Sequence, residues 1–167
     1  RETCNSVSIA NSAGAVVVED INSGEVLAAA SYPTYNIDDY YENYSDLVQN
    51  RRTPLFNRFA LGTYAPGSTF KPMMACAGLE EGAITESTKF YCNGVWQYYD
   101  IEFHCLNNNA HGGETVRTAL RDSCNIFFYN VAVNLGIAKM NQYASMFGLG
   151  EKTGVEISEA AGVLAGP

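Results

Sequence analysis

The chain has 167 residues, 47% of them hydrophobic and 17% charged, a globular composition with enough length for one buried core. A formal net charge of −8 and a pI near 4.6 argue against nucleic acid or an anionic membrane surface as partner. No apolar run reaches the roughly 18 residues that a membrane-spanning helix needs.

The chain opens at Arg1 with no initiator methionine and no signal peptide, and the expectation is an excised piece of a longer protein. From the N-terminal side, Gly14 to Ala30 reads as a hairpin. Ala15-Val16-Val17-Val18 is the first strand, Asn22-Ser23-Gly24 the turn, and Val26 to Ala30 the second strand. Residues 32–58 read as an irregular tyrosine-rich connection, with Tyr35, Tyr40, Tyr41 and Tyr44 as surface packing. Ser68 to Glu81 reads as a helix capped by Ser68 and Thr69, with Cys76 in the core and Gly82 as the stop. Residues 90–113 are turn-rich. A helix starts near Thr115 with Leu120 on its apolar side. Ile126 to Leu135 is apolar all round, as in a buried helix, and Ala138 to Phe147 is amphipathic. Strands first and helices after point to an α+β fold, helix-rich with a short N-terminal β-hairpin.

Ser68 and Lys71 stand three residues apart, on one face of the predicted helix. A serine hydroxyl is a poor nucleophile until a base takes its proton. Lys71 can be that base if burial or a neighbouring cation lowers its pKa. The helix N-terminus favours developing negative charge, and the Ser68 N–H can form half of an oxyanion hole. Alone, a Ser-x-x-Lys spacing is equally an N-cap serine beside a solvated lysine. Ser123-Cys124-Asn125, between two predicted helices, adds a hydroxyl that can shuttle a proton with Lys71. It also adds an amide that can hold both Lys71 and a substrate amide. The bland reading of this second element is a helix-junction cap.

The two elements in this order resemble the serine acyl-transferases that include penicillin-binding proteins and class A β-lactamases. The flanking segments favour the former. Gly14-Ala15-Val16-Val17-Val18, Gly24-Glu25-Val26-Leu27-Ala28, Ser31-Tyr32-Pro33, Asn57-Arg58, Tyr64 to Pro72, Ser123 to Tyr129 and Phe147-Gly148-Leu149-Gly150 resemble a class B penicillin-binding transpeptidase domain. The resemblance implies that Ser68 attacks the penultimate D-alanine carbonyl of a peptidoglycan stem peptide. An acyl-enzyme would form, an amine of a neighbouring strand would resolve it, and a β-lactam would acylate the same serine. Ser68, Lys71, Ser123 and Asn125 are the implied catalytic residues, and no cofactor is required. The implied parent is anchored at the extracytoplasmic face of the bacterial membrane among other cell-wall and cell-shape proteins, with this piece itself soluble. The alternatives are a serine β-lactamase, or a non-catalytic β-lactam sensor or scaffold domain.

The family's third element is a Lys-Thr/Ser-Gly strand. Lys152-Thr153-Gly154 matches in letters, but follows Ser123 by only 29 residues, in a context that resembles an earlier Gly-rich segment. The expectation is therefore one truncated domain over 1–167, lacking the third element and the C-terminal sheet strands. Such a piece would have little turnover alone and a tendency to self-associate through an open sheet edge.

Of five cysteines, Cys92, Cys105 and Cys124 with His111 make three thiolates and an imidazole, a complete tetrahedral set for structural zinc. His104 is a rival to His111. A Cys92–Cys105 disulfide and simple free thiols are the competing readings. Cys4 stands apart. Arg58 and Glu80 carry no role that the sequence suggests.

Overall fold

A computed structural model describes residues 13–166; Cys4 lies outside them. Two compact units are present: the described residues up to Thr63 with Thr153–Ala160, and Tyr64–Lys152 with the described residues from Ala161.

In the first unit β1 (Gly14–Glu19) and β2 (Val26–Tyr32) pair antiparallel, from Gly14 opposite Tyr32 to Val18 opposite Ala28. The turn closes as its residues dictate. The Asp20 carboxylate accepts from the Asn22 amide at 2.7 Å, and the Gly24 amide donates to the Asp20 carbonyl at 2.8 Å. The expected hairpin is present and runs two residues further.

The connection after it is less irregular than expected. It contains α1 (Tyr44–Gln49) and α2 (Arg58–Leu61). α1 buries no residue, so it has no apolar stripe for a sequence reading to detect. The Tyr40 ring lies 5.4, 5.3 and 5.5 Å from those of Tyr35, Tyr41 and Tyr44, so these tyrosines pack on one another. Arg58 organises the segment. Its buried guanidinium donates to the carbonyls of Arg52 at 2.7 Å and Thr53 at 2.9 Å, satisfying loop acceptors that no helix or strand reaches. The Ser31 hydroxyl accepts from the Arg58 and Phe59 amides at the start of α2.

The second unit carries the core. A 3-10 turn (Gly67–Phe70) leads into α3 (Lys71–Glu80). Four short strands follow: β3 (Phe90–Cys92), β4 (Val95–Tyr98), β5 (Ile101–His104) and β6 (Gly112–Glu114), pairing as β3 with β6 and β4 with β5. Then come α4 (Val116–Arg121), α5 (Asn125–Leu135) and α6 (Ile137–Met146). Met73, Met74 and Ala77 of α3 pack with Ile126, Phe127 and Val131 of α5, and Cys92, Cys105 and Cys124 belong to the same buried cluster.

Three expectations change. The turn-rich 90–113 segment holds β-structure. Leu120 is exposed, because α4 turns Val116 and Ala119 inward; these lie three apart on one face. Cys76 is an exposed thiol and not a core residue. The α+β class stands, and 126–135 is helical, but it buries one face (Ile126, Phe127, Phe128, Val131 and Leu135) and exposes Val133 and Asn134.

α3 and α5 cross closely at Gly78, where a Cβ would stand 3.0 Å from Val131 Cγ1 and 3.1 Å from Ile84 Cγ1. Gly78→Ala is expected to destabilise the fold by about 1–3 kcal/mol through overpacking, read as a lower denaturation midpoint at unchanged slope.

Candidate active site

The sequence places Gly67 at a φ of 55°, a left-handed conformation that glycine adopts at little cost. It turns the chain so that Ser68 sits in the 3-10 turn and Lys71 opens α3. Ser68 is therefore not the side-chain cap that the sequence suggests; the Thr69 hydroxyl donates to the Pro66 carbonyl at 2.6 Å. Across from them α4 ends and α5 begins. Ser123 has a φ of 52°, at the position just past a helix where glycine is usual. A non-glycine residue there carries strain of about 1–3 kcal/mol, and such strain clusters at functional sites. Cys124 then caps α5, its Sγ accepting from the Phe127 amide at 3.5 Å.

These elements bring all four expected catalytic residues together. Lys71, 9% exposed, donates to Asn125 Oδ1 at 2.6 Å, the Ser123 carbonyl at 2.7 Å, Ser123 Oγ at 3.0 Å and Ser68 Oγ at 3.2 Å. The Ser123 hydroxyl donates to Ser68 Oγ at 2.9 Å. Burial holds the Lys71 amine below the ordinary lysine range, with the Cys105 and Cys124 sulfurs acting the other way. The two shortest contacts decide what the amine can do. Both partners are carbonyl oxygens, which can only accept. A neutral amine therefore gives its two N–H bonds to Asn125 Oδ1 and the Ser123 carbonyl, and its lone pair is left facing the two hydroxyls. That is the arrangement a general base needs.

Asn125 is held in turn. Its Nδ2 donates to the His104 carbonyl at 3.2 Å, and its backbone N–H to Cys105 Sγ at 3.3 Å. Sequence reasoning missed this support, since a carbonyl at the end of β5 and the sulfur of the next residue, Cys105, leave no pattern that points to Asn125.

Cys92, Cys105, His111 and Cys124 converge, their ligand atoms all within 4.8 Å of one another. His111 Nδ1 lies 3.5 Å from both Cys92 Sγ and Cys105 Sγ. In a tetrahedral zinc site with Zn–S of about 2.3 Å and Zn–N of about 2.05 Å, sulfur and nitrogen stand about 3.6 Å apart, so the set fits the ion. His104 is not part of it; its Nε2 pairs with Glu102 at 3.2 Å. The four described cysteines are free thiols, which disfavours the disulfide reading. Burial pushes the Cys124 thiol up to about 12. Burial also raises Cys105, but N–H groups of Asn125 and Ile126 outweigh it and leave Cys105 below the usual thiol range. Gly94 makes the convergence possible, because a Cβ there would lie 2.6 Å from the Asn108 carbonyl oxygen, closer than any side chain allows.

Lys152-Thr153-Gly154 lies outside any strand. Glu159 accepts from the Thr153 amide at 3.0 Å, its hydroxyl at 2.8 Å and the Gly154 amide at 2.8 Å. These groups are spent on loop structure, in accord with the rejection of this triplet as a catalytic strand.

Residues 14–165 match the family described as penicillin binding protein transpeptidase domain. Among curated proteins, the peptidoglycan D,D-transpeptidase MrdA of Escherichia coli K12 is 36% identical over 158 residues, covering 90% of this chain and 25% of that protein. The chain thus spans about a quarter of the length of the curated relatives it matches. Among solved structures, the complex between penicillin-binding protein PBP2 and MreC from Helicobacter pylori superposes with a TM-score of 0.84 at 33% identity, covering 90% of this chain and 29% of that one. The imipenem acyl-enzyme complex of penicillin-binding protein A from M. tuberculosis gives a TM-score of 0.80 at 26% identity, covering 89% and 37%.

Proposed function

The chain belongs to the penicillin-binding protein transpeptidase family, and from that premise we propose that it carries the acylation half of a peptidoglycan D,D-transpeptidase. Ser68 is the nucleophile. Neutral Lys71 takes its proton as Ser68 Oγ bonds to the carbonyl carbon of the donor stem peptide and the terminal D-alanine leaves. The Ser123 hydroxyl relays a proton between Lys71 and the leaving amine, and the Asn125 amide orients the donor peptide. An amine of a neighbouring strand then attacks the acyl-serine, forming the cross-link and freeing Ser68. A β-lactam enters as a substitute acyl donor whose ester hydrolyses slowly. The observation that carries this reading is the pair of carbonyl acceptors at 2.6 and 2.7 Å from Lys71 Nζ, which aim its lone pair at Ser68 and Ser123.

The third Lys-Thr/Ser-Gly element belongs, in this reading, to the parent protein outside the triplet at 152–154. Extracytoplasmic membrane anchoring and association with cell-wall synthesis partners are likewise proposed for the parent. Among the described residues no helix is long and apolar enough to cross a membrane. Val17, Val18, Val26 and Leu27 of the hairpin are exposed, and self-association of the isolated chain is expected there.

Cys92, Cys105, His111 and Cys124 are proposed to hold a structural zinc ion. Bound there, it would supply folding energy and would fix β5 against the start of α5; no step of the acylation passes through it.

Fluorescent penicillin on the full-length protein tests the acyl-serine reading. Stable labelling lost in Ser68→Ala, together with peptide cross-linking, is expected. Rapid loss of label would favour a β-lactamase, and labelling without cross-linking a sensor. The pH dependence follows from Lys71. Its folded pKa is lowered, so the unfolded chain binds the extra proton between the folded and ordinary values. Stability therefore rises with pH across that window. The acylation rate constant is expected to climb tenfold per pH unit below the folded Lys71 pKa and to flatten above it. A flat profile at low pH would remove Lys71 as the base.

A further inference from the structure

The β4–β5 hairpin carries a row of aromatic rings that the acylation chemistry does not use. Trp96 stacks on Tyr98 at 5.1 Å and 7°, and Trp96 and Phe103 reach the Tyr129 ring, each at 5.4 Å. Tyr129 stands four residues after Asn125, on the same face of α5. At the base of the hairpin the His104 carbonyl accepts from Asn125 Nδ2. The row therefore begins at the active site and runs outward. At its outer end Tyr98 is 40% exposed and Tyr99 82% exposed, their rings 4.7 Å apart and edge-on at 77°.

Tyr99 is the telling residue. It occupies the turn between β4 and β5 with a φ of 51°, where glycine or asparagine is the low-cost choice. A tyrosine there is strained, and a ring so exposed recovers little of that strain by packing. The chain thus holds a flat, solvent-facing ring at the tip against local preference.

We infer that the Tyr99 ring, met edge-on by Tyr98, is a carbohydrate platform that seats the sugar end of the stem-peptide substrate. The inference rests on the transpeptidase reading for the substrate's identity. Ile101, paired with Tyr98, stands three residues from His104, about 10 Å along a strand. A four-residue acyl peptide extended from Ser68 reaches about 13 Å to the sugar that bears it. Sugar rings present C–H faces to flat aromatic rings and hydroxyls to polar edges. Asp100, between Tyr99 and Ile101 in the turn, supplies such an edge.

The test uses the full-length protein and its Tyr99→Asn variant, which removes the ring and suits the left-handed turn. Saturation-transfer NMR with the peptide-free peptidoglycan disaccharide is expected to show transfer to the sugar in the unsubstituted protein and loss of most of it in the variant. In competition with fluorescent penicillin, the disaccharide-pentapeptide is expected to weaken about fivefold in the variant, while the bare pentapeptide changes by less than about twofold. Absence of sugar transfer in the unsubstituted protein, as a protein partner at the tip would leave it, overturns the platform. So does an equal weakening of both competitors. The NMR arm needs no serine chemistry, so failure of penicillin labelling would sink the acyl-serine reading separately.

Discussion

Replacing Lys71 by methionine in the full-length protein is expected to slow acylation of Ser68 by about three to four orders of magnitude. Methionine keeps the volume of a side chain only 9% exposed but offers neither donors nor a lone pair. It leaves Asn125 Oδ1 and the Ser123 carbonyl without the N–H bonds that now reach them, a further cost of about 1–3 kcal/mol in stability. The informative companion is Lys71→Arg. Arginine restores donors and positive charge but stays protonated at every accessible pH, so it cannot accept the Ser68 proton. If Lys71 is the base, both variants fall to the same low rate constant in stopped-flow acylation. If Lys71 only stabilises negative charge, Lys71→Arg keeps a tenth or more of the rate, and the base assignment is lost.

The second large effect lies behind the Ser123–Asn125 loop. The full-length protein is expected to retain about one equivalent of zinc through purification, and Cys92→Ser to retain less than about a tenth. Its melting temperature should fall by more than about 5 °C. Acylation should fall with it, although the Cys92 sulfur bonds to Asn109 and His111 and not to Ser68, Lys71, Ser123 or Asn125. Asn125 depends on Cys105 Sγ and the His104 carbonyl for two of its hydrogen bonds; Cys105 belongs to the cluster and His104 directly precedes it at the end of β5. Cys76→Ser is the control, since Cys76 is exposed and outside the cluster. Zinc below about half an equivalent in the unsubstituted protein by elemental analysis contradicts the metal assignment.

What could be read from residue order alone divides by physical cause. The hairpin was legible because Ala15–Val18, Asn22-Ser23-Gly24 and Val26–Ala30 each state their conformation locally. The helix over Ile126 to Leu135 is legible from its run of apolar residues, which only Asn130 and Asn134 interrupt; its exposed side at Val133 is not. The expected quartet of Ser68, Lys71, Ser123 and Asn125 is legible through the resemblance that its two motifs and their flanks carry together, even though the Lys71 contacts to Ser123 and Asn125 span more than fifty positions. The segment from Phe90 to Glu114 was not. Its strands hold three or four residues each, too few for alternation to register; the Cys92, Cys105, His111 and Cys124 set is legible from its donor types, and the fold supplies the convergence. The α4 stripe was misjudged for a related reason: Leu120 is the larger residue, but Val116 and Ala119 are the ones that face the core. Arg58 had no readable role because its partners are loop carbonyls, which every residue possesses.

The most direct measurement of the central claim is mass-spectrometric mapping of a β-lactam adduct on the full-length protein. One equivalent of covalent β-lactam is expected, carried by the proteolytic peptide that contains Ser68 and absent from the Ser68→Ala variant. An adduct on any other residue, or an undiminished adduct in Ser68→Ala, would contradict it.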